Sequence, residues 1–403
     1  MTSFPKKIIS LVDLQSGGHH ETFALLYAQV LLELGFEVWI FFPKIEIFKE
    51  LENVYGDQLK TFQTNFRLRG FKNKYLSFAL SPLEIISRWK YTNKIIKEAS
   101  RRNNKKTSLV FFLFLDSFLQ PLVYGFVIDL VFSLRWAGLY LQPTRILKEK
   151  TFKNNLLSND SHTLYSRRCQ FVAVLDETIT EDFNRVTKKQ AIPFPDTIDI
   201  SDYPDTLERE IRTISKDRTV IGLLGNIGKR KGLINFLKVI QLLDPQKYYF
   251  IIAGELEEES LVGSEKKLIK NLKEGKPENC YFCFRRINDG PEFNNLVKAC
   301  DIISAVYNDF PHSSNMLTKA AFFKKFVVTS DRYLMSERVQ KFSLGLCVQE
   351  KDSESLSKAI MALAKGTDIE GNKITPKFEE FYQEHSYKKL KSTLESALKK
   401  YLL

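Results

Sequence analysis

At 403 residues with a formal charge of +12, 44% hydrophobic residues and only 18 Gly and 13 Pro, the chain is too long for one ordinary core and too apolar to be disordered or repetitive. Two packed domains are expected, at roughly 100–200 residues each. The five cysteines, Cys169, Cys280, Cys283, Cys300 and Cys347, are odd in number and scattered through apolar surroundings, which fits a reducing cytoplasm.

Apolar strand-length runs alternate with amphipathic helix-length runs along the whole chain, a pattern that predicts parallel sheets covered by helices. The N-terminus has two lysines but only a strand-length apolar run, so it does not read as a signal peptide. Strand Lys7–Asp13 leads through Gly17-Gly18 into a helix over Glu21–Leu34, and strand Glu37–Phe42 follows. Further strands are predicted at Leu109–Leu115, Gly138–Leu141, Phe171–Leu175 and Ala191–Phe194, with helices near Leu83–Arg102, Phe118–Leu134 and Glu177–Phe183. The very apolar run Leu109–Trp136 is broken by Asp116, Gln120, Pro121 and Asp129, whereas a spanning helix needs about 20 mostly uncharged residues. It reads as a buried strand followed by a largely buried helix.

The positive charge is concentrated between Phe66 and Lys106, where twelve Lys and Arg face only Glu84 and Glu98. Such a stretch suits nucleic acid, an anionic membrane surface, or a solvated helix face. Phe66, Phe71, Tyr75, Phe78 and Trp89 are interleaved with the basic residues, which favours peripheral docking on a membrane over nucleic acid, for which no binding motif is found.

A Pro- and Asp-rich connection from Pro193 to Asp205 marks a linker, and the alternation restarts at Thr219–Leu224. The second half then reads helix Gly232–Leu243, strand Tyr248–Ala253, helix Ser260–Leu272, strand Cys280–Phe284, helix Pro291–Ala299 and strand Ile302–Ala305. Helix Ser313–Phe323, strands Phe326–Ser330 and Leu344–Val348, helix Ser353–Ala364 and a lysine-rich helix Phe378–Leu403 complete it. The domains expected are 1–205, 206–375 and a C-terminal helix over 376–403. Two such units in tandem predict a cleft with ligands beyond the carboxyl ends of the strands.

Four segments carry candidate chemistry. Strand Val220–Leu224 runs into Gly225-Asn226-Ile227-Gly228-Lys229-Arg230-Lys231-Gly232, where glycines allow close backbone approach and three cations sit in place to meet phosphate; solubilising charge is the alternative. The loop has neither Walker nor GxGxxG spacing. Ser313, Ser314 and Asn315 open a helix whose first N–H groups can hold an anion, or one of the serines is simply its N-cap. Gly17, Gly18 and His19 form a turn that either contacts ligand or only reverses the chain. Asp116 ends an apolar strand and either caps the next helix or serves as a general base. Adjacent His19 and His20 do not make a metal site, and the CxxC at Cys280–Cys283 would project to opposite faces of a strand.

The two tandem units resemble the GT-B glycosyltransferases, two Rossmann-like doubly wound α/β domains facing each other across a cleft. The second unit is similar to the retaining group that includes many bacterial lipopolysaccharide and exopolysaccharide sugar transferases. The resemblance is carried by Gly225–Gly232, similar to the family's Gly-Arg-x-x-x-x-Lys-Gly loop, and by Phe310–Asp331, whose SSN-x-L-x-KA wording looks like a divergent subgroup. It implies that Lys231 contacts the donor diphosphate. The family's Arg falls on Asn226, leaving Arg230 or Lys229 to supply that charge. Neither carboxylate of the family's Glu-x7-Glu pair is in register, Pro311 and Lys319 standing in their places, so Lys319 takes over the nucleotide-binding position or activity has been lost. Gly17 and Gly18 match the family's turn at the reaction centre, and Asp116 stands about where many members place a catalytic His.

The resemblance implies metal-independent transfer of a sugar, without a cofactor, from a UDP-, GDP- or ADP-linked donor to a glycan or lipid-linked acceptor. Retention of configuration is expected, in cell-surface polysaccharide or glycolipid synthesis, in the cytoplasm at the inner face of the membrane. The competing readings are a catalytically silent module that binds nucleotide or glycan beside a partner enzyme, and, on charge alone, a nucleic-acid-binding protein.

Overall fold

The computed structural model of the chain describes residues 7–66, 74–143, 161–201, 204–275 and 277–402. The chain divides into two compact units, one of residues up to Pro195 joined by the C-terminal stretch from Lys388, the other Asp196–Tyr387.

The first unit is built on strands β1 (Ile8–Val12), β2 (Glu37–Phe42), β3 (Leu59–Gln63), β4 (Thr107–Phe112), β5 (Trp136–Tyr140), β6 (Cys169–Val174) and β7 (Ala191–Pro193). They form one parallel sheet in the order β3-β2-β1-β4-β5-β6-β7. Every residue of β1, β2 and β5 is buried, as expected of central parallel strands covered on both faces. The helix Lys74–Asn103 lays Trp89 onto that sheet. Its ring is fully buried, 4.9 Å from Phe112 and 5.0 Å from Trp136, and its Nε1 donates to the Phe118 carbonyl.

In the second unit β8 (Thr219–Leu224), β9 (Tyr248–Ala253), β10 (Cys280–Cys283), β11 (Ile302–Ala305), β12 (Phe326–Ser330) and β13 (Gly345–Val348) make a second parallel sheet, ordered β10-β9-β8-β11-β12-β13. The period of two divides its strands between two cores: Val220 and Leu224 pack on one face, Ile221 and Leu223 on the other. Cys280 and Cys283 are split in the same way. Both sheets reverse direction beside their first strand, at β1/β4 and β8/β11, and such switch points open a crevice beyond the carboxyl ends of the strands.

Three expectations require correction. The buried helix over Phe118–Leu134 is instead a tight turn at Leu115–Phe118, a loop through Pro121, and a short helix Gly125–Val131, because proline interrupts the helical ladder. The predicted C-terminal helix breaks into Phe378–Glu384 and Tyr387–Leu402; at the break the His385 ring accepts the Asp196 N–H at 3.1 Å. The second piece buries Leu390, Leu394 and Leu398 and packs on the first unit, Lys391 pairing with Glu33 at 2.7 Å. Strand β3 and the helix Tyr333–Lys341 were not expected. Among the described residues, no helix is long and apolar enough to cross a membrane.

Candidate active site

In the second unit the glycine loop and the serine-opened helix meet. Strand β8 ends at Gly225, whose φ of 96° is open to glycine. Gly254 lies behind it so closely that a Cβ there would stand 1.8 Å from the Gly225 carbonyl oxygen. Lys231 folds back over this turn, its Nζ donating to the Leu224 carbonyl. Gly232 follows with φ 70°, pressed against β11's extension: a Cβ would lie 2.5 Å from the Val306 oxygen. Asn308 clamps the same contact, its N–H donating to the Arg230 carbonyl and its Nδ2 to the Lys229 carbonyl, both at 2.7 Å.

Tyr307 is the hub. Its ring is 2% exposed, with the Lys231 ammonium 5.1 Å and the Arg230 guanidinium 5.6 Å from its centre, and Arg230 also lies 5.0 Å from the Phe310 ring. Burial by itself would push the phenol upward, but Lys231, the Ser314 hydroxyl and Arg230 together bring it below the ordinary tyrosine value. Two cations and a hydroxyl thus meet at one buried phenol. Ser314 is the N-cap of the helix Asn315–Phe322, accepting the Met316 N–H at 3.4 Å, so the capping role holds at a residue that also faces Tyr307. Asn226 is exposed at the tip of the turn.

Two neighbouring residues have other engagements. The Ser313 hydroxyl donates to Asp196 at 2.6 Å and accepts from Arg338 at 2.5 Å, inside a network whose Asp196 and Arg338 are 3% and 2% exposed. Lys319 is turned into the interior. It is fully buried, and its three ammonium protons match Asp289 at 2.8 Å, the Asn294 side-chain oxygen at 2.6 Å and the Asp199 carbonyl at 3.0 Å. The residue standing for the family's second Glu ties the linker to two helices.

In the first unit, Gly17 and Gly18, both with positive φ, turn the chain from β1 into the helix His19–Glu33. His19 opens that helix, beside Phe23. Asp116 neither caps its own turn nor stands alone: its two carboxylate oxygens accept the Leu141 and Gln142 N–H groups at 2.8 and 2.9 Å, latching the end of β4 to the end of β5. Sequence reasoning missed Asp13 and His20. Asp13 ends β1, is 2% exposed, and takes His20 Nδ1 at 2.7 Å; burial pushes its carboxyl above the ordinary value, with His20 opposing. The imidazole stacks on Phe114 at 3.8 Å and keeps partial exposure, its Nε2 without a partner among the described residues. The signal that singled out Asp116, a carboxylate closing an apolar strand before a turn, was present at Asp13.

The basic stretch Phe66–Lys106 is also corrected in part. Trp89 belongs to the core and half-buried Phe66 packs on Tyr91, while residues 67–73 lie outside the described residues; Lys90, Lys94, Lys97 and Arg101 share an exposed helix face. The place of Trp89 among the basic residues is therefore packing, set by helical spacing against the sheet.

Two Rossmann-like units with these strand orders give the chain a GT-B architecture. Residues 205–375, within the second unit, match the family model described as glycosyl transferases group 1. Solved structures share the fold over the whole chain. A glycosyltransferase from Rickettsia africae superposes with a TM-score of 0.66 at 16% identity, covering 98% of this chain and 99% of that one. Sucrose-phosphate synthase from Thermosynechococcus elongatus gives 0.67 at 13% identity, covering 98% of each. Anabaena HepE, solved with UDP and glucose, gives 0.62 at 14% identity, covering 98% of this chain and 100% of that one. A search of curated protein sequences finds no significant match.

Proposed function

We propose that the second unit binds a nucleoside diphosphate sugar, UDP-, GDP- or ADP-linked, and that the sugar passes with retention to a glycan or lipid-linked acceptor held by the first unit. The observation that carries this reading is the convergence of Lys231, Arg230 and Ser314 on Tyr307. Departure of a nucleoside diphosphate develops negative charge on phosphate oxygen, and preorganised cations and helix N–H groups lower that barrier without reorganising. Lys231 and Arg230 hold the diphosphate, Asn315 presents its helix-terminal N–H, and Gly225 with Asn226 lets the sugar nucleotide approach the backbone. On the acceptor side, Gly17, Gly18 and His19 shape the turn, and His20, oriented through Asp13, accepts the hydrogen bond of the attacking hydroxyl at Nε2.

That Anabaena HepE binds UDP and glucose on this fold supports a nucleotide-sugar donor. The setting proposed is cell-surface polysaccharide or glycolipid synthesis at the cytoplasmic face of the membrane. A silent nucleotide- or glycan-binding module is the second reading, favoured by Lys319 standing buried where the family has a carboxylate. Isothermal titration against UDP, GDP and ADP, followed by turnover of the matching sugar nucleotides, tests the proposal. Binding of one nucleotide with turnover is expected; binding without turnover selects the silent module, and no binding overturns both.

A further inference from the structure

The short helix Gly125–Val131 turns apolar side chains outward. Phe126 is 66% exposed and Leu130 81% exposed, and residues four apart share one helical face. Tyr124 and Leu122, partly exposed just before the helix, extend the patch, Tyr124 stacking 4.5 Å from His162. Isolated exposed apolar residues are ordinary, but a contiguous group with a polar rim marks an interaction surface. The helix is closely packed on its other side: Ile128 is fully buried, and Gly125 approaches the Ser166 backbone so closely that a Cβ would lie 2.1 Å from its nitrogen.

Beside this wedge lies a cavity of about 770 Å³ lined by Phe126, Asp129, Arg135, Arg167, Arg168 and Gln170. It holds three guanidinium groups and one carboxylate. Asp129 is already engaged, accepting from the Ser166 hydroxyl at 2.6 Å and the Arg167 N–H at 3.0 Å. Arg168 donates through Nη1 to the Ser133 carbonyl at 2.7 Å, but its buried Nε has no partner among the described residues. A buried donor without an acceptor is uncommon in folded proteins, and a guanidinium fork suits phosphate oxygen.

We propose that this face docks on an anionic phospholipid surface, Phe126 and Leu130 entering the interfacial layer while the arginine-lined cavity takes a lipid phosphate. Apolar anchors and cations side by side are what such an interface rewards. Self-association through a twofold contact would set three arginines against three more, and nucleic acid has no use for Leu130. The inference stands apart from the donor site and does not need the acceptor to be lipid-linked.

The test is co-sedimentation of the full chain with phosphatidylcholine vesicles, with and without phosphatidylglycerol. The wild type is expected to pellet only with the anionic vesicles. Phe126→Ser/Leu130→Ser and Arg135→Gln/Arg167→Gln should each lower partition about tenfold or more, and Lys90→Gln/Lys94→Gln should lower it less. Sugar-nucleotide hydrolysis without vesicles should be unchanged in all three variants, so loss of vesicle binding and loss of the donor reading are scored separately. Wild-type protein that stays in solution, or the Lys90 and Lys94 changes abolishing binding while the Phe126 and Leu130 changes do not, would overturn the assignment. So would a wild-type dimer that the Phe126 and Leu130 changes convert to monomer.

Discussion

The Lys231 ammonium lies 5.1 Å from the centre of the buried Tyr307 ring, although the two residues belong to different loops, one leaving β8 and the other leaving β11. Neighbouring strands at the sheet's switch point bring them together. Lysine over a buried phenol, with Arg230 and Ser314 beside it, makes positive potential a property of the fold and not of one flexible side chain.

The loop's position depends on Gly232. Its φ of 70° and the 2.5 Å separation that a Cβ would have from the Val306 oxygen mean that Gly232→Ala adds a left-handed penalty of about 1–2 kcal/mol to a steric one. Urea denaturation should show a loss of that size or more. Titration with the preferred nucleotide should show weaker binding, since the loop must withdraw from β11.

Lys319 answers differently. Removing it leaves Asp289, whose side chain is 8% exposed, as an uncompensated buried charge, at a cost of about 3–5 kcal/mol. Lys319→Met should therefore lower the denaturation midpoint sharply, and adding Asp289→Asn should recover part of the loss. Nucleotide affinity of the double variant should stay close to wild type, because Lys319 makes no contact with the proposed diphosphate site.

Asp13 links stability to function with opposite signs. Burial raises its carboxyl in the folded chain, so the stability it contributes is fully present below the ordinary carboxylate value and is lost as pH rises through the folded one. Asp13→Asn removes that titration. Its Tm relative to wild type should climb as pH rises above the ordinary carboxylate value of about 4, while transfer activity falls about tenfold or more as His20 loses the partner that fixes its tautomer. A Tm difference that does not change with pH would contradict the assignment.

Much of the architecture was legible because central parallel strands must be apolar on both faces: Glu37–Phe42, Thr219–Leu224, Tyr248–Ala253 and Phe326–Ser330 are found at the bounds the pattern predicts. What was not legible had mixed signals. Strand Leu59–Gln63 is an edge strand with half-buried residues, and Tyr333–Lys341 carries polar residues, Ser336 and Arg338 among them, on its buried side. In the site, the glycine loop and the Ser314 cap could be read from residue type and spacing. The Tyr307 hub, the Asp13–His20 pair and the burial of Lys319 depend on contacts between residues distant in the chain, which no local pattern encodes. Trp89 misled for the same reason: an aromatic among lysines looks like a membrane anchor until the helix is seen to turn it onto the sheet.

The central claim, that Lys231 stabilises a departing nucleoside diphosphate, is tested most directly by steady-state turnover of the preferred sugar nucleotide in Lys231→Ala beside wild type. A fall in kcat of about 10²–10³, with the circular dichroism spectrum and Tm retained, is the predicted result. Turnover at the wild-type rate in the folded variant would contradict it.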